Sequence, residues 1–330
     1  MNILIIGGSG RISLMTSRFL SEKGDNVFVL NRGNNNSELS NVETIICDVN
    51  NGPKMTDFLD THRISCVLQF VAFDPSDIQR DYQYFKGRGI HYIFISTCVT
   101  YDRFGLTGFI DENHKQSNLL SPYGQKKIEA ENELRKIGLV DPSFHWTILR
   151  PSHTFDYRAV PTCIHGKNGT YSILHRILND KPIVVADDGT NIWPMLYARD
   201  FAKGVEGLLC NPAAYGEAFN ITAEERHSWN EIYDLIGEIV GKKVKKVYIP
   251  AETLAHERED LRASLCGDKA LNCLISNEKL IRLVPEFRNQ TPLKTALKTA
   301  YDYVMSHPET QKLDPDFDQF EDYLIKKYEK

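Results

Sequence analysis

Tyr123 and Lys127 stand four residues apart in Ser121-Pro122-Tyr123-Gly124-Gln125-Lys126-Lys127, just ahead of a helical stretch from Ile128 to Lys136. Four residues make about one helical turn, so both side chains leave the same face. A phenol titrates near 10 in isolation, and an ammonium beside it stabilises the phenolate, giving a base usable at neutral pH. The same spacing recurs at Tyr82 with Lys86 and at Tyr323 with Lys327, which read as ordinary helix-surface pairs. Tyr123 differs in its surroundings: a Ser-Pro entry into its helix, and the hydroxyls of Ser96-Thr97 at the end of an apolar run, Tyr92 to Ile95.

A second constellation is Gly7-Gly8-Ser9-Gly10-Arg11-Ile12-Ser13, which follows the apolar run Ile3 to Ile6 and precedes the helical pattern of Leu14, Met15, Phe19 and Leu20. Strand, glycine turn and helix together form a cradle for a dinucleotide. Gly7 and Gly10 let the backbone turn tightly toward a pyrophosphate, and the N–H groups opening the helix at Arg11 and Ile12 aim the positive dipole end at it. Ser13 occupies the place of a third small residue, where a serine allows a slightly wider helix–strand approach. The next apolar run, Val27 to Leu30, ends at Asn31-Arg32-Gly33. An acidic residue there would accept hydrogen bonds from the adenosine ribose; neutral Asn31 and cationic Arg32 instead favour a 2′-phosphate, so NADP is expected ahead of NAD.

These groups need a scaffold, and the chain supplies one. Further strands are expected at Thr44 to Cys47, Cys66 to Val71, Tyr92 to Ile95 and Phe144 to Leu149, with helices at Lys54 to Asp60 and Ile78 to Lys86 between them. Alternating strands and helices predict an α/β fold with a doubly wound parallel sheet, whose ligands bind at the carboxyl ends of the strands. Asn34 to Ser37 reads as a polar loop. After Pro151 short strands are expected at Ile183 to Ala186, Ala218 to Ile221 and Val244 to Ile249, around helices at Phe201 to Leu209 and Trp229 to Val240. The terminal stretch Asp314 to Lys330 reads as a charged helix with Phe317, Phe320, Tyr323 and Leu324 along one face, docked on the protein or on a partner subunit.

With these residues in view, the chain resembles the extended short-chain dehydrogenases/reductases of the NAD(P)-dependent epimerase/dehydratase family. The resemblance rests on Gly7 and Gly10, Asp48-Val49, Phe70-Val71-Ala72, Ser96-Thr97 with Val99 and Tyr101, Asp111-Glu112, Pro122-Tyr123 with Lys127, Leu149-Arg150-Pro151, Tyr197 to Asp200, and Gly267-Asp268. It implies a Rossmann-type sheet over residues 1–151, with returns near 192–222, and a smaller substrate region at 152–191 and 242–330. It also implies that Tyr123 is the catalytic base, Lys127 its activator and ribose anchor, and Thr97 the hydroxyl that orients the substrate. Asp48 and Val49 would border the adenine. Ser9, Phe70, Val71, Ala72, Pro151 and Ser152 complete the expected cofactor contacts, and Asp74, His153 and Trp193 are candidate substrate contacts. Ser13 and Asn31 depart from the family pattern, and Leu265-Cys266 precede Gly267 where nucleotide-sugar enzymes usually offer an arginine to the diphosphate.

Bulk properties set the remaining bounds. A net charge of -5 gives no electrostatic reason to expect nucleic acid as a partner. No apolar stretch approaches the roughly 18 residues of a membrane span. Seven cysteines without a C-x-x-C pair read as reduced core residues of a cytoplasmic protein, and no H-x-x-x-H pair or carboxylate cluster suggests a metal. The expected activity is an epimerase- or dehydratase-like oxidoreduction at a secondary hydroxyl of a sugar-like molecule. Net NADP-dependent reduction of a small carbonyl compound is the close alternative, and a non-catalytic nucleotide-sensing or RNA-binding relative is the rival of another class. The resemblance leaves a homodimer open, since relatives often pair through helices of the main domain.

Overall fold

The computed structural model describes residues 1–33, 39 and 42–328; the polar loop expected at Asn34 to Ser37 lies outside the described residues. Seven parallel strands form the central sheet. Six of them are β1 (Asn2–Ile6), β2 (Asn26–Asn31), β3 (Glu43–Ile46), β4 (Cys66–Gln69), β5 (His91–Ile95) and β6 (Trp146–Pro151), and the seventh is Glu217–Ile221. The order is Glu217–Ile221, β6, β5, β4, β1, β2, β3. Strand order reverses between β1 and β4, and at such a switch point the two flanking loops diverge and leave a crevice at the carboxyl ends.

Strands covered on both faces should be mostly apolar, and these are: Ile3, Leu4, Ile5 and Ile6 are all buried, as is every residue of β4 and β5, where Gln69 and His91 are the polar members. One hydrophobic cluster lies on each side of the sheet. Leu14, Phe19 and Leu20 of α1 (Arg11–Glu22) and Phe201 and Val205 belong to one, while Met55 of α2 (Gly52–Thr61), Ile78 of α3 (Pro75–Phe85) and Leu134 of α4 (Pro122–Val140) belong to the other. A third cluster gathers Ile183–Ala186, Trp193, Trp229, Leu297 and Leu324, beyond the carboxyl end of the sheet. There Ile183–Ala186 pairs with Lys246–Ile249, and the terminal helix Pro315–Tyr328 packs on both. Phe317 and Leu324 of that helix are buried, but Tyr323 is exposed and donates its hydroxyl to Glu257. Phe320 is half-buried against the same cluster, so the expected apolar face holds at three of its four positions and turns outward at Tyr323.

Differences from the expected elements are mostly at their ends. The fourth strand stops at Gln69 because the Gln69 side chain folds forward: its Oε1 accepts the N–H of Val71 at 2.8 Å, and its Nε2 donates to Asp81 at 2.5 Å. The Phe70 N–H still reaches the Ile6 carbonyl of β1 at 3.1 Å, and the strand ends two residues short of the expected Val71. The helix expected from Ile128 begins at Pro122, since Ser121 caps it by accepting the Gly124 N–H at 3.0 Å and proline suits the first turn. Tyr123 is consequently part of the helix.

Candidate active site

Helix α4 carries its chemistry on the face it buries. Gly124, Lys127, Ala130, Glu131, Leu134 and Ile137 form one stripe against the sheet, so the apolar periodicity also forces Lys127 and Glu131 inside. Each buried charge has partners. Lys127 Nζ donates to the carbonyls of Ala72 (2.7 Å) and Ile95 (2.8 Å), clamping the chain that leaves β4 to the end of β5. Glu131 takes Arg150 of β6 at 2.6 Å and the Ser96 hydroxyl at 2.5 Å, and Arg150 continues to Tyr101 at 2.6 Å. Ser96, Tyr101 and Arg150 thus act as a buried brace between α4 and the strand ends.

At the switch point the glycine turn is built as a close approach. Gly7 has φ +89, and a Cβ there would collide with Val71; one on Gly8 would collide with Val29. Ser13 closes the turn, donating its hydroxyl to the Gly7 carbonyl at 2.7 Å and accepting the Gly10 N–H at 3.0 Å. The serine is 1% exposed and tightens the loop, a role that its size alone did not indicate. The adjoining cavity, about 530 Å³, is lined by Gly7, Ser9, Gly10, Asn31, Arg32, Asp48, Val49 and Val71 among others. A dinucleotide fits these residues: a glycine cradle opens onto the α1 N-terminus, with Arg32 in the wall of the same cavity. Arg32 makes no hydrogen bond among the described residues, and its charge helps to hold the Asp48 carboxyl below its ordinary pKa, after the backbone and side-chain bonds from Asn50. Arg80 lines the same cavity but is held by Asp77 and Asp81.

A second cavity, about 260 Å³, contains Ile12, Phe70, Thr97, Tyr123, Lys127, Pro151, Ser152, His153 and Trp193 in its wall. Residues far apart in sequence meet there because β4, β5 and β6 end side by side. Thr97 Oγ1 accepts the Val99 N–H at 3.2 Å, which leaves its own proton to donate. His153 meets Trp193 edge to face at 5.6 Å. Burial, with Lys269 and Arg11 nearby, pushes the His153 pKa down to about 3, so the imidazole is neutral at pH 7. Burial also pulls Lys127 down to about 7. Tyr123 is shifted the other way, above the ordinary phenol value, by desolvation on the side of the ring that faces the cavity and then by the Asp268 carboxylate, although 45% of the residue stays exposed. The expected activation by Lys127 is absent in the free chain: its Nζ lies 5.9 Å from the Tyr123 ring centre and is spent on two carbonyls.

Two expected contacts lie elsewhere, and a third points its side chain away from both cavities. Asp74 caps α3, accepting from the Ser76 hydroxyl at 2.6 Å and from the Ser76 and Asp77 N–H groups, and lines neither cavity. Arg11 opens α1, as expected, while its side chain lines a cleft with Arg158 and Thr170 that shares Ser9 and Gly10 with the glycine cradle. Ala72 contributes its carbonyl to Lys127 and not a wall of either cavity. Conversely, Cys98, Asp268 and Cys273 line the second cavity without having been singled out as site residues. For Asp268 the sequence signal is the Gly-Asp dipeptide, which the resemblance sets on the substrate side but which does not by itself bring the carboxylate beside Tyr123.

Known proteins share the family and the fold. The NAD dependent epimerase/dehydratase family matches residues 3–222. The chain is 23% identical to a 2'-dehydrokanamycin reductase of Streptomyces kanamyceticus, covering 79% of this chain and 72% of that protein. It is 24% identical to a UDP-glucose 4-epimerase of Erwinia amylovora, over 88% of this chain and 99% of the relative. Among solved structures, a UDP-glucuronic acid 4-epimerase from Bacillus cereus, in complex with UDP-glucuronic acid and NAD, superposes with a TM-score of 0.73 at 20% identity. That match covers 93% of this chain and 99% of the other, and it is a likeness of fold.

Proposed function

The chain belongs to the NAD dependent epimerase/dehydratase family, and from that premise we propose that it withdraws hydride from a secondary hydroxyl of a sugar-like substrate and returns it to the same molecule, as an epimerase or dehydratase does. The observation that carries this reading is that Thr97, Tyr123 and Lys127 share one cavity wall at the end of β5, beside the cofactor cradle. The dinucleotide, when bound, accepts the hydride and gives it back. Tyr123 is protonated in the free chain, so it acts as the base only after its own proton has left to solvent, an ionisation that the positive charge of a bound oxidised dinucleotide would favour; its Oη then takes the hydroxyl proton as the carbonyl forms and restores it on return. Thr97 donates its hydroxyl proton to the substrate oxygen and so fixes the reacting carbon. Lys127 holds β4 and β5 at a constant separation and, with a pKa of about 7, exchanges a proton near neutrality.

NADP is the favoured cofactor in this reading, because Arg32, which makes no hydrogen bond among the described residues, can form charge-assisted bonds with a 2′-phosphate where a carboxylate would repel it. Residues 152–191 and 242–330 are read as the substrate region, supported by the separate hydrophobic cluster around Ile183–Ala186 and Trp229. Net reduction is the second reading. Two observations favour it: Tyr123 is held protonated in the free chain, ready to give a proton to a carbonyl oxygen, and one of the relatives is a reductase.

Incubation with a catalytic trace of NADP or NAD and a panel of sugars separates the two. Product far in excess of cofactor, with no lasting absorbance change, supports internal hydride return; product capped at one equivalent of cofactor rules it out. Half-saturating concentrations of the two cofactors in wild type and Arg32→Ala test the preference, and equal values in both proteins would refute it.

A further inference from the structure

Asp268 sits in a five-residue turn, Leu265–Lys269, that the fold holds from three sides. Asn118 Nδ2 donates to the Gly267 carbonyl at 2.7 Å, the Trp229 indole donates to the Lys269 carbonyl at 3.0 Å, and a Cβ on Gly267 would lie 3.2 Å from Leu120. The side chain is 19% exposed and lines the cavity that holds Tyr123 and Trp193. Arg103 Nη2 donates to Oδ1 from behind. Among the described residues Oδ2 has no hydrogen-bond partner. Arg103 is 1% exposed and leaves Nε and Nη1 without acceptors, and its guanidinium lies 5.8 Å from the Trp193 ring centre. The pair is therefore rigid, buried on one side, and presents a single unpaired acceptor to the substrate space.

The rest of the wall says what that acceptor is for. No arginine lines this cavity, and its one lysine, Lys127, is spent on two backbone carbonyls. Lys269, next in sequence, places its Nζ on the Thr162 carbonyl at 3.3 Å and does not line the cavity. The ionisable groups facing Asp268 are Arg103 and Lys269, with the thiols of Cys98, Cys163 and Cys273 and the phenol of Tyr123. Among the described residues, a phosphate brought here would meet the Asp268 carboxylate and, as the one lining cation, a lysine that already donates to two carbonyls. A ring carrying a second O–H or N–H would meet an acceptor already desolvated and fixed in place.

Resting on the catalytic reading above, we infer that Asp268 determines substrate class: Oδ2 accepts a hydrogen bond from a second hydroxyl or amine of an unphosphorylated ring lying against Trp193, with Arg103 as the buttress. A site built to bond a particular donor rejects analogues that lack it, because the acceptor is left unpaired. In Asp268→Asn the amide oxygen stays with Arg103 and the NH₂ turns to the cavity, replacing an acceptor with a donor.

The test uses the full chain saturated with NADP and ligand-observed NMR titrations of D-glucose, its monodeoxy derivatives, glucosamine and glucose 1-phosphate. In the wild type, removal of one particular hydroxyl weakens binding at least tenfold and the phosphate ester binds more weakly than glucose. In Asp268→Asn the penalty for that hydroxyl falls below twofold. Glucosamine against glucose tells whether the donor is an amine or a hydroxyl. The inference is overturned if glucose 1-phosphate binds more tightly than glucose, if the deoxy penalties are the same in Asp268→Asn, or if no unphosphorylated ring binds. The wild-type comparisons decide even if the variant does not fold. Retention of turnover in Tyr123→Phe would overturn the catalytic reading instead, without altering these binding ratios.

Discussion

At the scale of single residues, three Tyr-x-x-x-Lys pairs compete for one role, and partners separate them. Tyr82 gives its hydroxyl to Asp141 at 3.1 Å and Tyr323 gives its own to Glu257 at 2.9 Å, both away from the two cavities. Tyr123 alone of the three stands in a cavity wall beside Thr97. Replacement of Tyr123 by Phe is expected to lower turnover at least about a hundredfold, the scale of a lost general acid–base group. Cofactor affinity should change by less than about twofold, because the phenol is not in the glycine cradle. Tyr323→Phe serves as the control and should leave turnover unchanged. Steady-state kinetics with a cofactor titration check both, and loss of turnover in Tyr323→Phe with its retention in Tyr123→Phe would reverse the assignment.

At the scale of elements, α4 is the part on which the site depends. Its entry is fixed by the Ser121 cap, and its long axis is fixed to β6 by Glu131 and Arg150, which are 0% and 1% exposed. Buried ion pairs add little net stability when intact, but breaking one strands a charge. Glu131→Ala should therefore cost about 3–5 kcal/mol, since Arg150 keeps its charge and loses its carboxylate. Ser121→Ala removes one capping bond and should cost about 1 kcal/mol. Urea unfolding gives both values, and an equal or reversed order would show that α4 is not held through this brace. The tie between Ser13 and the glycine turn is a smaller device of the same kind: one hydroxyl closes a loop that a third glycine would leave open.

At the scale of the whole molecule, enclosure of Lys127 by three strand ends and α4 makes stability depend on pH. Its pKa falls from 10.5 to about 7 because burial penalises the charged form. Between those values the native chain binds fewer protons than the unfolded chain, so stability rises with pH across this window and is lost as pH falls toward 7. Lys127→Met removes the titration. The urea midpoint of the wild type, measured against that of Lys127→Met without cofactor, should therefore climb between pH 7 and 10.5. A constant difference between the two proteins over this range would show that Lys127 keeps an ordinary pKa in the native state.

The sequence by itself determined the parallel α/β sheet, the glycine cradle and the helical face shared by Tyr123 and Lys127. These follow from local rules: apolar runs buried on both faces become inner strands, glycine takes φ +89 at Gly7, and four residues make a helical turn. It also pointed to Asn31-Arg32 as an expected ribose contact, because the carboxyl end of β2 faces the ligand side in any such sheet, and both residues line the first cavity. Only the tertiary structure decided the rest. That Asp74 caps a helix, that Lys127 spends its charge on Ala72 and Ile95, and that Tyr123 is raised to about 12 depend on which atoms lie within bonding distance. Asp268 shows the limit most clearly. More than a hundred residues separate it from Tyr123 and Arg103, and no periodicity or spacing reports a contact made by the packing of a turn against the far end of a sheet.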